Sequence, residues 1–241
     1  MCGSFVGVAS EELPDQEGGA DLIHGGQVAG IIGTTRLGVH LRFGTVSIRE
    51  LARHTFNLSD KFFNELIWRE FYQMIMWHFP HVAERAFKPQ YDVLVWRNNE
   101  AEFDKWCIGQ TGYPIVDAGM RELWATGWMH NRVRMVVASF LVKDLLLPWP
   151  AGAQWFWDTL VDADLASNAM GWQWVAGTGP DAAPFFRVFN ADTQAEKFDA
   201  SGEYRRRWIP EIGTAAYPRP IADLKSSRQR ALDVVDGVEV T

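Results

Sequence analysis

The sequence predicts an all-α domain on three observations. From Thr45 onward apolar residues recur at three- and four-residue steps, the spacing of one face of a helix. Serine, proline and glycine stand where helices start and stop. No stretch alternates apolar and polar residues over a strand's length, and no Asn-Gly turn joins two such stretches.

Residues 1–33 have glycines at 18, 19, 25, 26, 30 and 33 and no sustained period, which predicts an irregular Gly-rich extension, a truncated or wrongly assigned start. Residues 34–241 then form one domain without repeat or linker. Ser59 and Asp60 can cap a helix carrying Phe62, Phe63, Leu66, Ile67, Phe71 and Ile75, stopped by Pro80. Pro114 suits the first turn of a second helix, ending near Gly127. A long helix is expected from about His130 to Leu147, closed by Pro148. Pro218 and Pro220 precede a short charged helix in the tail.

With 47% hydrophobic residues in 241, the chain can bury a real core. A net charge of -7 argues against a general nucleic-acid coat but allows a local basic groove. Cys2 and Cys107 are too few for a disulfide framework or a four-thiolate metal site, and His78 and His81 have no further ligand at a sensible spacing, so no metal is expected. So few cysteines fit a reducing cytoplasm, a monomer is expected, and the apolar run Met135 to Trp149 is broken by Lys143 and Asp144, which predicts no membrane span. The anomaly is 12 tryptophans, two of them flanking one glutamine in G-W-Q-W, Gly171 to Trp174.

Helical spacing sets Glu65, Trp68, Arg69 and Tyr72 on one stripe and Asn131, Arg134 and Met135 on another. Core packing with solvated charges explains such stripes. The mixture of carboxylate, amide, thioether and indole equally suits a pocket that grips a flat, partly polar ligand. Arg134 invites an ion pair with Asp162 or Asp164, and T-T-R-L-G, Thr34 to Gly38, offers hydroxyls, backbone N–H groups and an arginine to a diphosphate.

Together N-E-L-I-W-R-E-F-Y (64–72), T-G-Y-P-I-V-D-A-G-M-R (111–121), T-G-W-M-H-N-R-V-R-M (126–135), A-S-F-L-V-K-D-L-L (138–146), G-W-Q-W (171–174) and D-A-A-P-F-F-R-V-F-N (181–190) closely resemble the flavin-binding domain of DNA photolyases and cryptochromes. The resemblance runs from about Thr34 to the end. It implies the all-α photolyase/cryptochrome FAD-binding helical domain and, as function, light-dependent repair of cyclobutane pyrimidine dimers in damaged DNA.

By matching positions, the resemblance assigns FAD to Thr34, Thr35, Arg36, Leu37, Gly38, Arg134, Asp162 and Asp164, with Asn168 at the flavin's reactive nitrogen. Photolyases carry asparagine there and many cryptochromes aspartate or cysteine. Glu65, Trp68, Tyr72, Asn131, Met135 and Trp174 would meet the flipped dimer, with Glu65 hydrogen-bonding its carbonyl edge. Arg69, Arg132, Arg187 and Gln194 would contact DNA. Trp172, Trp149 and Trp96 would pass electrons from the surface to the flavin. The family's antenna domain has no counterpart here, so no antenna chromophore is expected. Two alternatives share these residues: a cryptochrome-like flavin photoreceptor, and a truncated fragment that no longer binds FAD.

Overall fold

The computed structural model describes residues 34–182 and 187–239, the side chains of 235–239 excepted. The expected extension, 1–33, lies outside the described residues. Eleven α-helices are described: α1 Gly38–Arg42, α2 Ile48–Thr55, α3 Asp60–His78, α4 Glu100–Cys107, α5 Pro114–Thr126, α6 Asn131–Ser139, α7 Trp149–Thr159, α8 Leu165–Ala176, α9 Ala191–Phe198, α10 Glu203–Trp208 and α11 Leu224–Glu239. There is no strand among the described residues. None of the described helices is long and apolar enough to cross a membrane.

The expected punctuation holds at two helices. The Ser59 hydroxyl accepts the N–H of Phe62 at 3.2 Å and opens α3, which ends at His78 before Pro80 starts a tight 3-10 turn. Pro114 opens α5, where its missing N–H costs nothing, and Gly127 closes that helix in the left-handed region at φ 67°. A side chain at Gly127 would also collide with Val161.

The long helix expected over His130 to Leu147 is corrected by the structure. Regular α-helix ends at Ser139, and Phe140–Asp144 winds as one π turn, with the N–H of Leu145 donating to the carbonyl of Phe140 at 2.9 Å. The cause lies in bonds made across the fold, one of them from a charged residue inside this apolar run. Buried Lys143 reaches across to donate its Nζ to the carbonyl of Ala176 at the end of α8, 3.0 Å away. The wider turn frees carbonyls that arginines then take: Arg97 donates to Leu145 at 2.9 Å and Arg230 to Asp144 at 2.6 Å. Arg230 belongs to α11, which at 16 residues is longer than the short tail helix expected.

Two clusters of buried side chains make the core. One, with Phe62, Leu66, Tyr72 and Ile75, joins α3 to Ala166, Ala169 and Met170. The larger one gathers Trp106, Met120, Met135, Phe140, Phe156, Trp172 and Trp174. Both include residues of α8, whose positions 166–176 are all buried, as a helix apolar on every face must be. At Gly152 on α7 the backbone touches the Trp172 indole, and an added Cβ would come within 2.2 Å of that ring. Gly152→Ala should therefore cost about 1–3 kcal/mol of stability through overpacking, read as a lower urea midpoint with a shifted tryptophan emission.

Candidate functional site

The turn between α7 and α8 brings two carboxylates to the middle of the molecule. Asp164 caps α8, with Oδ1 accepting the N–H of Ser167 at 3.0 Å. Its carboxylate also accepts from Arg69 Nη2 at 2.9 Å and from Gln73 Nε2 at 3.0 and 3.1 Å. Arg69, expected to face DNA phosphates, is thus committed to Asp164 with its side chain 12% exposed. Two residues earlier, Asp162 accepts both bonds of a buried ion pair from Arg134 Nη2, at 3.1 and 3.0 Å. The Nε of Arg134 donates to the carbonyl of Met129, which helps offset the desolvation of its charge.

One turn into α8, Asn168 donates through Nδ2 to the carbonyl of Ala153 at 2.8 Å. That bond fixes the amide's orientation, and Oδ1 is left buried with no partner among the described residues. Asn131 Oδ1 is in the same condition. A buried acceptor without a donor is costly, so each is a place where a ligand N–H or O–H would be welcome. A cleft of about 790 Å³ opens beside Asp164, lined by Arg42, Ser47, Arg69 and Gln73 among others.

Positions 172 and 174 lie about 200° apart around a helix, so the two indoles point to opposite sides. Trp172 is fully buried, 5.0 Å from the Phe156 ring and 6.1 Å from that of Trp106. Trp174 stacks on Phe189 at 6.4 Å. Between them, the buried Gln173 amide accepts the N–H of Phe87 at 2.8 Å and donates to the carbonyls of Val82 and Arg85 at 2.8 and 2.9 Å, tying α8 to the loop after α3. Trp149 is buried at the start of α7, and Trp96 is half-buried at the core's edge.

On α3, Glu65 and Trp68 are half-buried, whereas Tyr72 is fully buried with its ring 5.8 Å from that of Trp68. Arg132 lies over the Phe198 ring at 4.7 Å, with Nη1 3.7 Å from the sulfur of the fully buried Met135. Gln194 is half-buried on α9, and Arg187 is exposed. In the T-T-R-L-G segment, Thr34 and Gly38 are buried, the Thr35 hydroxyl accepts the N–H of Leu37, and Leu37 packs on the α3 cluster. Arg36 adopts a left-handed φ of 52° and stacks over Trp128 at 4.7 Å.

Sequence reasoning missed Gln73, Trp106 and a buried acid, Glu122. Glu122 follows Ile115, Ala118 and Gly119 on the core-facing stripe of α5, and a carboxylate on such a stripe was the available signal. Its Oε2 accepts the hydroxyl of buried Tyr204 at 2.6 Å. Burial pushes the Glu122 carboxyl up from 4.5 to about 7, against the pull of that hydrogen bond and of Arg36, Arg134 and Arg207. For Trp106 the sequence carried no such signal.

Residues 62–216 match the family described as the FAD binding domain of DNA photolyase. A deoxyribodipyrimidine photo-lyase of Agrobacterium fabrum is 45% identical over an alignment covering 86% of this chain and 50% of its own. Among solved structures, a bacterial class III photolyase from Agrobacterium tumefaciens matches with a TM-score of 0.86 at 42% identity, over 91% of this chain and 52% of that one. An archaeal photolyase from Sulfolobus tokodaii, solved with two FAD molecules, matches with a TM-score of 0.84 at 37% identity, over 88% and 52%. The chain spans about half the length of the curated relatives it matches.

The Glu122 carboxyl yields a pH dependence of known sign. Its folded value is raised, so between about 4.5 and 7 the unfolded chain holds fewer protons, and the acid's contribution to stability falls as pH rises through that window. Glu122→Gln removes that loss. The variant should gain on the parent by on the order of 2 kcal/mol from pH 4.5 to 7 and no further above, measured as the difference between their urea midpoints.

Proposed function

The chain belongs to the FAD-binding domain family of DNA photolyases, and from that premise we propose that it holds FAD and repairs cyclobutane pyrimidine dimers in DNA under light. The observation that carries this is the buried, partnerless Oδ1 of Asn168, held in place by the bond from its own amide to Ala153. It fits an N–H donor on a flavin ring, which would complete its hydrogen bonding. Asparagine rather than aspartate or cysteine at this position favours repair over a photoreceptor role.

Reduced FAD, excited by light, would supply the electron that splits the dimer's cyclobutane ring. The protein's part is position and dryness. Arg134 and Asp162 form a rigid charged wall beside Asn168, and Asp164, with the Thr34 to Gly38 segment, holds the remainder of the cofactor. Trp68 and Trp174 offer indole faces to a dimer taken out of the duplex, a step made cheaper because the lesion already stacks poorly. Glu65 and Asn131 bond its polar edge; Tyr72 and Met135, expected at the dimer, are instead fully buried, Tyr72 packing on the Trp68 ring and Met135 under Arg132. Arg132, Arg187 and Gln194 reach the DNA backbone, giving an acidic protein a local cationic contact. Arg69 acts instead through Asp164. The protein so described is a cytoplasmic monomer with damaged DNA as its partner.

The test is the visible absorption spectrum of the purified, desalted chain, followed by light-dependent repair of a dimer-containing oligonucleotide. Flavin bands are expected, and a folded but colourless chain that takes up no added FAD overturns the proposal. Asp162→Asn should weaken FAD retention by roughly tenfold or more, because it leaves the Arg134 charge buried without its partner. Glu65→Ala should lower the repair yield without releasing FAD.

A further inference from the structure

Trp172 was expected to exchange electrons with Trp149 and Trp96, and the structure gives it another indole neighbour. The Trp106 ring, on α4, meets it edge to face at 6.1 Å and 69°. Two phenyl rings lie nearly parallel to Trp106: Phe103 at 5.8 Å and 23°, and Phe156 at 6.3 Å and 14°. Phe156 also touches Trp172, at 5.0 Å, so the two indoles share a wall. Trp106 is fully buried, and its Nε1–H donates to the carbonyl of Val137 at 3.0 Å.

These contacts suit an electron donor. The electron-rich faces of neighbouring phenyl rings stabilise a positive charge on an indole packed against them, and a hydrogen bond from its N–H to a carbonyl oxygen does the same. A backbone carbonyl is too weak a base to take the indole proton, and burial keeps water from taking it. A charge that reaches Trp106 therefore stays a radical cation and can return by the way it came. Trp96, by contrast, is only half-buried at the core's edge.

We infer that Trp106 is a second electron donor to Trp172, a side branch that receives the oxidising charge in parallel with Trp149. The inference rests on the flavin chemistry proposed above. Bound flavin, oxidised and excited by light, would supply the oxidant, and Trp172 would give up one electron. Trp106 then gives one electron to the Trp172 radical cation, which is restored while Trp106 becomes the radical cation. No bond breaks and no proton moves. An added thiol supplies the electron that finally resets Trp106.

Two measurements test this, one without flavin. In the chain freed of flavin, indoles in this contact should add a coupled pair of near-ultraviolet circular-dichroism bands to those of the stacked Trp124–Trp155 pair, the added bands being lost in Trp106→Phe and in Trp172→Phe but kept in Trp149→Phe. A spectrum that Trp106→Phe leaves unchanged would overturn the inference even if the chain never bound FAD. With FAD bound, Trp149→Phe should keep part of the light-driven flavin reduction in the presence of thiol, and adding Trp106→Phe should lower that remainder by roughly tenfold. Its transient absorption should be that of the radical cation, not of the deprotonated radical. Equal rates in Trp149→Phe and the double variant, at equal FAD content, would overturn the inference while leaving the proposed function standing. Failure to bind FAD would count against that function alone.

Discussion

The burial of α8 from residue 166 to its end is the constraint on which the rest depends. A helix with no wet face must have every polar group and both ends satisfied from elsewhere, so other elements are fixed by what α8 lacks. Asp164 caps its start and in doing so recruits Arg69 and Gln73 from α3. Lys143 reaches its last carbonyls from the π turn, and Gln173 at its middle is settled by the loop after α3. The residues that would meet the cofactor and the lesion, Asn168, Trp172 and Trp174, hang from this one element. Their precision comes from the same bonds that make its burial tolerable.

The same constraint explains where polar chemistry sits in an otherwise apolar interior. Arg134 and Asp162 are charged, buried and mutually bonded, an arrangement that gives little net stability but holds two planar groups in fixed orientation. Glu122 and Tyr204 lie nearby as a second buried polar pair, and the acid's own pull toward its neutral form makes it a quiet neighbour at low pH and a charged one above neutrality. Within a low-dielectric core such charges act over longer range than at a surface.

Helix existence was legible because local chemistry decides it: Ser59, Pro114 and Gly127 act on their own neighbours, and each stands at its expected boundary. The pairing of Arg134 with Asp162 was legible as residue types and through family resemblance. What escaped prediction depends on contacts distant in sequence. The π turn exists because Lys143 finds Ala176 and because Arg97 and Arg230 find the freed carbonyls, none of which periodicity records. Arg69 was expected to contact DNA, and nothing near it in sequence announces Asp164, 95 positions away, whose carboxylate it binds. Trp106 drew no notice because an indole in a core looks the same on paper whether or not it touches another.

The π turn also sets an order on biosynthesis. The carbonyl of Asp144 is satisfied by a guanidinium 86 positions further along, on α11. While residue 230 is still within the ribosome, that carbonyl has no partner from its own final helix, and the end of α6 remains an unfinished surface. Lys143, one residue before, anchors α8 from this same turn. A nascent chain can thus assemble most of its core early, while the turn that anchors α8 gains this carbonyl's partner only once α11 has emerged.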